Sequence, residues 1–304
     1  MRTKKFLLPA VLLAMSSGIY AGDFNTQMAQ AEKLFKAGKY KEAAAAYDDA
    51  SLETEKAAER IKARYLGWES LKKARSGNAL KTAESILYDE AELSPAMAVA
   101  LVSYICSRSY SETAQKAISF VLKRNDLSEN QRSRVLCLAL KNGGTFNSEK
   151  YIEEILAMKN PDPAARAVAL GHRGNILMWV KKDFPGAVTA FEEALNTKEL
   201  SRSDRMFFHM AKARAHIGLR QYETSEKNFR RAITIGANRG FLNFAYKELF
   251  GLYARTKQAV KAYNLLVEAS KDKRLNNSQR LFFANLIKKI DEAKRQKQKQ
   301  QLLW

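Results

Sequence analysis

Three histidines and two cysteines are the side chains of this 304-residue sequence whose chemistry suits a metal site or a nucleophile. His209 and His216 are seven residues apart and share roughly one helical face, but a zinc site needs a third or fourth ligand from elsewhere in the chain. No HExxH, paired CxxC or GxSxG pattern occurs, and Gly143-Gly144 opens no phosphate-binding loop. The sequence therefore predicts no catalytic residue, no metal site and no cofactor.

The other reactive or charged candidates admit structural interpretations. Glu153-Glu154 and Glu192-Glu193 are predicted on outer helix faces as solvated charge. Cys106 and Cys137 are 31 residues apart, and an oxidising compartment would permit a disulfide between them. Their apolar flanks equally suit two buried thiols that behave as small hydrophobic groups. Since no catalytic constellation emerges, we expect that the chain is not an enzyme.

The helices that would position any site share one repeated pattern. A small residue is followed four positions later by an aromatic residue, and three positions after that by a small or aliphatic one, which keeps all three on one helical face. The pattern occurs at Ala43/Tyr47/Ala50, Ala187/Phe191/Ala194, Ser225/Phe229/Ala232 and Ala259/Tyr263/Leu266. Recurrence every ~34–38 residues is typical of stacked helical hairpins, which form no single active-site cleft.

Composition supports an all-helical chain and a cationic surface. Five Pro and 14 Gly leave little room for a loop-rich β fold, and the dominant Ala, Leu, Lys, Glu and Arg favour helices. The formal net charge is +20, or +17 once Arg2, Lys4 and Lys5 are removed. Such a charge favours acidic proteins, lipid headgroups, cell-wall polymers or nucleic acid as partners. It equally suits a solvated surface that keeps an elongated protein soluble.

Residues 1–21 have the three-part layout of a secretory signal peptide. Arg2, Lys4 and Lys5 form the positive head, residues 6–15 form the apolar run, and small and polar residues lead to Ala21 before the expected cleavage point. The apolar run is shorter than the ~20 residues that a membrane span needs. We expect an exported protein, periplasmic or secreted and soluble after cleavage, for which nucleic acid is not an expected ligand. The alternative is an amphipathic first helix of the fold.

The first repeat, residues 24–50, closely resembles the tetratricopeptide repeat (TPR) family. It carries small and aromatic residues at the family's positions, namely Ala31, Leu34, Gly38, Tyr40, Ala43, Tyr47 and Ala50. Residues 167–195, 207–233 and 241–266 repeat the pattern, although Ser225 replaces an alanine and the last repeat lacks the turn glycine. His216 falls where the family has an aromatic packing residue, so we interpret it as part of the core.

The resemblance implies an all-α fold, a right-handed superhelical solenoid of antiparallel helix hairpins over residues 22–277. Residues 55–160 are degenerate, because the period persists there while the consensus residues fade. Helices are predicted in this region at 57–73, 80–92, 95–108, 111–124 and 147–159. Ser128 and Gln131 have the spacing of a capping box, and Asp162 is predicted to cap a helix that starts at Pro163.

These helices amount to about seven hairpins, and residues 278–304 follow as a capping helix and a basic tail. The capping helix is predicted to cover the last hairpin with one apolar side, made of Leu281, Phe282, Leu286, Ile287 and Ile290. The basic tail suits either a frayed solubilising end or electrostatic attachment to an anionic surface. The last three residues, Leu302-Leu303-Trp304, are apolar.

TPR proteins bind peptides or protein surfaces in a groove that is lined by the first helix of each hairpin. Carried onto this sequence, the resemblance implies nine groove residues: Met28, Glu32, Phe35, His172, Trp179, Met210, Arg214, Phe244 and Glu248. Trp179 beside Arg214 would form an anchor pair, since aromatic and Arg side chains dominate many interfaces. The alternative for Trp179, Phe207 and Phe244 is ordinary packing between repeats.

Two functions follow, from different classes. The first is a non-enzymatic scaffold or adaptor of the bacterial cell envelope that binds a peptide or protein surface in the concave groove. The alternative is an electrostatic binder of an anionic envelope polymer or membrane surface, acting through the basic face and tail. Binding of the second kind should weaken steeply as the ionic strength rises.

Overall fold

The computed structural model describes residues 23–109, 112–142 and 148–301, with side chains as far as residue 298. The predicted signal segment, residues 1–21, lies outside the described residues, as do Gly143-Gly144 and Leu302-Leu303-Trp304. Fifteen helices make up the described part of the chain: α1 (Phe24–Lys36), α2 (Tyr40–Leu52), α3 (Ala57–Lys73), α4 (Ala79–Asp89), α5 (Pro95–Arg108), α6 (Glu112–Leu122), α7 (Glu129–Asn142), α8 (Ser148–Ala157), α9 (Pro163–Trp179), α10 (Phe184–Leu195), α11 (Arg202–Gly218), α12 (Tyr222–Ile235), α13 (Arg239–Arg255), α14 (Ala259–Lys271) and α15 (Asn277–Gln301).

Consecutive helices pair into seven hairpins, and α15 follows the last pair. The prediction of an all-α chain of helical hairpins is therefore confirmed. The hairpins form two compact units, residues 1–127 with α1–α6 and residues 128–304 with α7–α15, here called unit 1 and unit 2. None of the described helices is both long enough and apolar enough to cross a membrane.

The repeated triplet forms the buried face of the second helix in three of the hairpins. Three of the four predicted triplets are buried throughout, at α2, α10 and α12. Small residues on the neighbouring helices make room for their aromatic rings. A Cβ built on Gly174 of α9 would lie only 2.7 Å from the ring of Phe191, and one on Gly67 of α3 would lie 3.4 Å from Cβ of Tyr47.

The fourth predicted triplet is wrong by three residues. In α14 the triplet spacing is buried at Ala262, Leu266 and Ala269, with Leu265 buried beside them, whereas Ala259 is exposed and Tyr263 is half-buried. Ala262 follows Ser225 by 37 residues, close to the 38 that separate Ala187 from Ser225. The central place of the buried triplet is therefore taken by Leu266, whereas the prediction put Tyr263, three residues earlier, in that place.

The degenerate middle keeps the same buried spacing with aliphatic residues in the central place. Ala83 and Leu87 of α4 are buried with Glu90, which caps the end of that helix, and Ala114, Ile118 and Val121 of α6 are buried as well. Glu90 is tolerated there because Arg60 and Arg64 of α3 pair with its carboxylate. The predicted helices of this region are confirmed, although α4 ends at Asp89 and α8 at Ala157, both earlier than expected.

Four of the turns inside the hairpins share one backbone geometry but have different residues. Gly38 has φ +74°, and Arg75, Arg220 and Lys257 have φ between 52° and 59° at the equivalent places. In each case the next backbone N–H donates to the carbonyl five residues before it, at 2.8–3.0 Å, which closes the first helix. The repeat that lacks the turn glycine therefore makes the same turn, with Lys257 in the left-handed region.

Two predicted helix starts are confirmed by their capping hydrogen bonds. The N–H of Gln131 donates to Ser128 Oγ at 3.2 Å, and the N–H of Ser128 donates to Gln131 Oε1 at 3.0 Å, which is a reciprocal capping box. Asp162 Oδ1 accepts from the N–H of Ala165 at 2.9 Å at the start of α9. Pro163 occupies the first helical position.

Two expectations about exposed faces need correction. Phe283 is the buried residue of α15, and Leu286, Ile287 and Ile290 pack beside it on the core. Leu281 and Phe282 are exposed, because they lie off the face that the 283/286–287/290 spacing defines. Glu154 is not simply solvated charge either, since it is half-buried and pairs with Arg132 of α7 at 2.5 Å.

Candidate functional site

The nine residues that the resemblance assigned to a groove differ in how far they are buried. Met28 and Met210 are buried in the cores of units 1 and 2, so their side chains do not line an open groove. Their long apolar chains fill the space between helices of a hairpin stack. Phe35, His172, Arg214 and Glu248 are half-buried, and Glu32, Trp179 and Phe244 are exposed. Trp179 and Phe244 are therefore not ordinary core residues.

Three of the nine form one cluster on the first helices of adjacent hairpins. The guanidinium of Arg214 on α11 lies 4.6 Å from the centroid of the Phe244 ring on α13. Nε of Arg214 also donates to Glu248 Oε2 at 3.2 Å. Phe244 and Glu248 share a face of α13 because they are four residues apart. The arrangement places the guanidinium of Arg214 against the ring of Phe244, a residue that is 41% exposed.

The same face continues toward the start of both helices through two more aromatic rings. Phe207 of α11 and Phe241 of α13 have ring centroids 5.5 Å apart, and both are half-buried. Phe207 is seven residues before Arg214 and Phe241 is three before Phe244, so all four lie on one side of their helices. We call Phe207, Arg214, Phe241, Phe244 and Glu248 the first-helix face of unit 2.

Trp179 has a different cation from the one that we expected. Its ring, 55% exposed, lies 5.9 Å from Nζ of Lys182, in the turn after α9. The expected pair of Trp179 with Arg214 is therefore wrong, because Arg214 is engaged by Phe244 and Glu248. Phe282 of α15 also lies near a cation, since Nζ of Lys247 is 4.4 Å from the centroid of its ring. Each of these exposed aromatic rings in unit 2 lies near a cation.

His172 lies near an ion pair that joins two helices on either side of α9. Nζ of Lys141 on α7 is 2.7 Å from Oδ2 of Asp204 on α11. Burial lowers the pKa of His172, and the nearby charge of Lys141 lowers it further. The imidazole is therefore biased toward its neutral form, in which it is both a donor and an acceptor.

The burial and the hydrogen-bond partners of the remaining histidines, and the burial of the two cysteines, indicate structural roles. His216 is buried with Nδ1 2.7 Å from Gln221 Oε1, which confirms its interpretation as a core residue. His209 is half-buried, with Nδ1 3.2 Å from Asn228 Oδ1, and burial lowers its pKa. Cys106 and Cys137 are both free and buried, and burial raises the pKa of each thiol to about 11. In residues 23–109, 112–142 and 148–301, no group of three His, Cys, Asp or Glu is arranged to hold a metal ion.

The positive charge of the chain is concentrated in unit 2, which sequence reasoning missed because it weighed the charge over the whole chain. Residues 22–127 contain 16 Lys and Arg against 15 Asp and Glu, a net charge of +1. Residues 128–304 contain 33 against 17, a net charge of +16. Counting charge by packed unit would have revealed the difference. The first-helix face of unit 2 therefore lies in a field that attracts anionic groups.

Of the comparisons with known proteins, one with a solved structure bears on the fold. The solved structure of the C-terminal part of a TPR repeat-containing protein from Cytophaga hutchinsonii is similar to 83% of this chain and 97% of that chain, with 14% identity and a TM-score of 0.50. The TPR2AB domain of yeast Sti1 in complex with pHSP90 is matched over 88% of this chain and 97% of that chain, with 18% identity and a TM-score of 0.33. No protein-family model and no curated protein matches the chain. The first comparison shows a TPR-like fold.

Proposed function

We propose that this protein is a non-enzymatic scaffold that binds a peptide or protein surface on the first-helix face of unit 2. The observation that carries the proposal is the cluster of Arg214, Phe244 and Glu248. Its aromatic ring is exposed although the surrounding helices are well packed, and its cation is held by a carboxylate of the same protein. Exposed aromatic and Arg side chains of this kind are the anchors that dominate binding energy in many interfaces.

The partner that fits this face is a segment with apolar and acidic side chains. Phe207, Phe241 and Phe244 offer apolar contact, and a carboxylate of the partner would replace or join Glu248 beside Arg214. The net charge of +16 on unit 2 would speed the encounter with such a segment. Helix-in-groove and extended-peptide capture both suit a surface that is made of parallel first helices.

The proposed setting is the bacterial cell envelope, and envelope proteins are the proposed partners. The support is the signal-like layout of residues 1–21, with its positive head, apolar run and small residues before Ala21. The test is to express the full chain, fractionate the cells and sequence the N-terminus of the recovered protein. An N-terminus at Gly22 in the periplasmic fraction is expected, and a cytoplasmic protein that keeps its first residues would overturn this part of the proposal.

A photo-crosslinking experiment tests the binding face itself. A photoreactive phenylalanine replaces Phe244 in one variant and Phe120 of α6 in a matched control. Phe120 is also 41% exposed, but it lies in unit 1 against Tyr88 with ring centroids 5.1 Å apart. We expect a discrete crosslinked product from position 244 that disappears when Arg214→Ala is added. Equal products from both positions, or none from position 244, would contradict the proposal.

A second function is favoured by the charge of unit 2, namely binding to an anionic envelope polymer or membrane surface. The excess cations lie mostly outside the first-helix face, including those of α15. Such binding would be weakened by salt far more than capture on an apolar groove. Measuring retention of the protein on envelope fractions at low and high ionic strength separates the two functions.

A further inference from the structure

Three hairpins begin their second helix with an aromatic residue, whereas the hairpin of α13 and α14 begins it with an alanine. The aromatic residues are Tyr40 of α2, Phe184 of α10 and Tyr222 of α12, and each follows the left-handed residue of its turn by two positions. In α14 the same position, two residues after Lys257, is occupied by Ala259. The ring that packs at this corner of the other three hairpins is therefore missing from α14.

The rings at the equivalent corners fill space between helices. The centroid of the Tyr40 ring lies 5.3 Å from that of Phe35 in an edge-to-face contact. A Cβ built on Gly218, the last residue of α11, would lie 2.4 Å from the ring of Phe184, so this ring reaches the first helix of the following hairpin. Without a ring at Ala259, we expect open space between α14 and the helix that follows it.

An open pocket of about 470 Å³ lies at this position, between α13, α14 and α15. We call it the α14 pocket, and its apolar lining is made by Phe250, Tyr253, Ala259, Val260, Tyr263 and Ile290. Val260 is 75% exposed although its side chain is apolar. A cavity of about 150 Å³ is enough for benzene, and small-molecule sites have volumes of about 300–1,000 Å³. The α14 pocket therefore has room for an aromatic ring and a short chain attached to it.

The charged groups of the α14 pocket are cations. Lys257 in the turn and Lys294 of α15 both line it, and the described lining residues include no acidic side chain. Nζ of Lys294 lies 4.8 Å from the centroid of the Tyr263 ring, at the apolar wall itself. The neighbouring carboxylate of Asp291 is engaged, because it accepts a hydrogen bond from the Tyr263 hydroxyl at 3.3 Å. A ligand that carries both a ring and a carboxylate would match the apolar wall and the two lysines.

We propose that the α14 pocket binds a small aromatic carboxylate. The ring of the ligand takes the place that Phe184 fills in its own hairpin, and the carboxylate lies between Lys257 and Lys294. A single side chain from a protein segment would leave much of the volume empty, since a benzene ring needs only about a third of it. That difference favours a free molecule. The pocket shares no residue with the first-helix face and does not depend on the scaffold function.

The test titrates the full-length protein with 3-phenylpropionate and with the neutral 3-phenylpropanol, followed through the methyl NMR signals of Val260 and Ile290. We expect the carboxylate to bind roughly tenfold more tightly, because each of two exposed ammonium groups contributes up to about fivefold. The absence of binding by either probe, or equal affinity for both, would overturn the proposal.

The variant Ala259→Phe supplies the missing ring from within the chain. It should weaken binding of both probes by at least about tenfold, because the ring occupies the apolar space that they would bury. Its thermal midpoint should stay the same or rise, which shows that lost binding is not lost folding. Binding of both probes with unchanged affinity in a folded Ala259→Phe protein would overturn the site.

A pair of double variants separates the lysines of the pocket from net charge. Lys257→Gln/Lys294→Gln should abolish the preference for the carboxylate, whereas Lys271→Gln/Lys273→Gln removes the same charge from exposed positions outside the pocket and should preserve it. Equal loss of the preference in both would overturn the role of the two lysines.

A peptide probe tests the choice of a small molecule over a protein segment. An acetylated and amidated tripeptide of aspartate, phenylalanine and aspartate carries the same ring with two carboxylates. Tighter binding of this peptide than of 3-phenylpropionate would overturn the assignment to a free molecule. Arg214→Ala/Phe244→Ala should leave the binding of 3-phenylpropionate unchanged, which keeps failure of this proposal distinct from failure of the scaffold function.

Discussion

Units 1 and 2 share the hairpin architecture but differ in the net charge of their residues and in what their exposed aromatic rings contact. Unit 1 is nearly neutral after residue 21, and its exposed rings of Tyr88 and Phe120 contact each other edge to face. Unit 2 has a net charge of +16, and its exposed rings of Trp179, Phe244 and Phe282 each lie near a cation. The buried spacing of small, large and small residues is common to both. The comparison indicates that the buried spacing determines how the helices pack, whereas the surface residues can differ between the units.

The largest effect is expected from truncating the central residue of a buried triplet. Phe191→Ala should lower the free energy of unfolding of unit 2 by about 3–5 kcal/mol, since the ring is fully buried against Gly174. Leu87→Ala should cost unit 1 about 2–4 kcal/mol, although α4 lacks the consensus aromatic. Hydrogen exchange resolved by segment measures each unit separately. A cost for Leu87→Ala as small as that for the exposed Val260→Ala would show that the middle repeats do not use this spacing.

A glycine in unit 2 provides a second test of close helix packing. A Cβ at Gly171 would lie 2.1 Å from the buried ring of Phe208, so Gly171→Ala should destabilise unit 2 by about 1–3 kcal/mol. Gly251 is the matched control, because nothing lies within 4 Å of its added Cβ and it is also inside a helix. Gly251→Ala should stabilise by about 0.5–1 kcal/mol. Urea unfolding of both variants would contradict the packing argument if their effects had the same sign.

A hairpin turn with a lysine in unit 2 and one with a glycine in unit 1 should respond in opposite directions when that residue is exchanged. Lys257→Gly in unit 2 relieves a left-handed backbone conformation and should stabilise by up to about 1 kcal/mol. Gly38→Ala in unit 1 imposes the same conformation on a residue with a Cβ, and should destabilise by about 1 kcal/mol. Thermal unfolding midpoints measure both changes. Destabilisation by Lys257→Gly would mean that the lysine side chain contributes more than its backbone strain costs.

The smallest effect is a pH dependence that only unit 2 should show near neutrality. Its folded state lowers the pKa values of His172 and His209, so the unfolded chain binds more protons below the ordinary value of 6.5. The free energy of unfolding of unit 2 should therefore fall as the pH drops from about 7.5 to about 5.5. Residues 22–127 contain no histidine, so unit 1 should change little. His172→Gln/His209→Gln should flatten the profile of unit 2, and an unchanged slope would contradict this assignment.

The fold was predictable because helix period, capping and turn residues are local signals. Ser128 with Gln131 and Asp162 with Pro163 were recognisable as helix starts without any tertiary information, and both make the expected hydrogen bonds. The fourth triplet was misplaced because an aromatic residue, Tyr263, lies three positions before Leu266 and competed with it for the central place. Only contact with neighbouring helices decides which of two large residues one turn apart is buried.

The candidate site was less predictable, because it depends on how neighbouring helices meet. Repeat positions gave Arg214, Phe244 and Glu248, which lie in one cluster. The same rule also gave Met28 and Met210, which are buried. The partner of Arg214 could not be inferred from spacing along one helix, since Trp179 and Phe244 lie on the first helices of the two hairpins adjacent to its own. The lateral offset between helices decides that choice, and a single sequence does not encode it in any local pattern.

The ion pair between Lys141 and Asp204 has a consequence for how unit 2 unfolds. Stacked repeats are usually treated as a row in which each repeat interacts only with its immediate neighbours. This pair joins α7 to α11, across the hairpin that begins with α9. An ion pair between hairpins that are separated by one other hairpin adds an interaction free energy that the simple nearest-neighbour description lacks. The three hairpins that begin with α7, α9 and α11 should therefore open together more often than their separate interfaces would dictate.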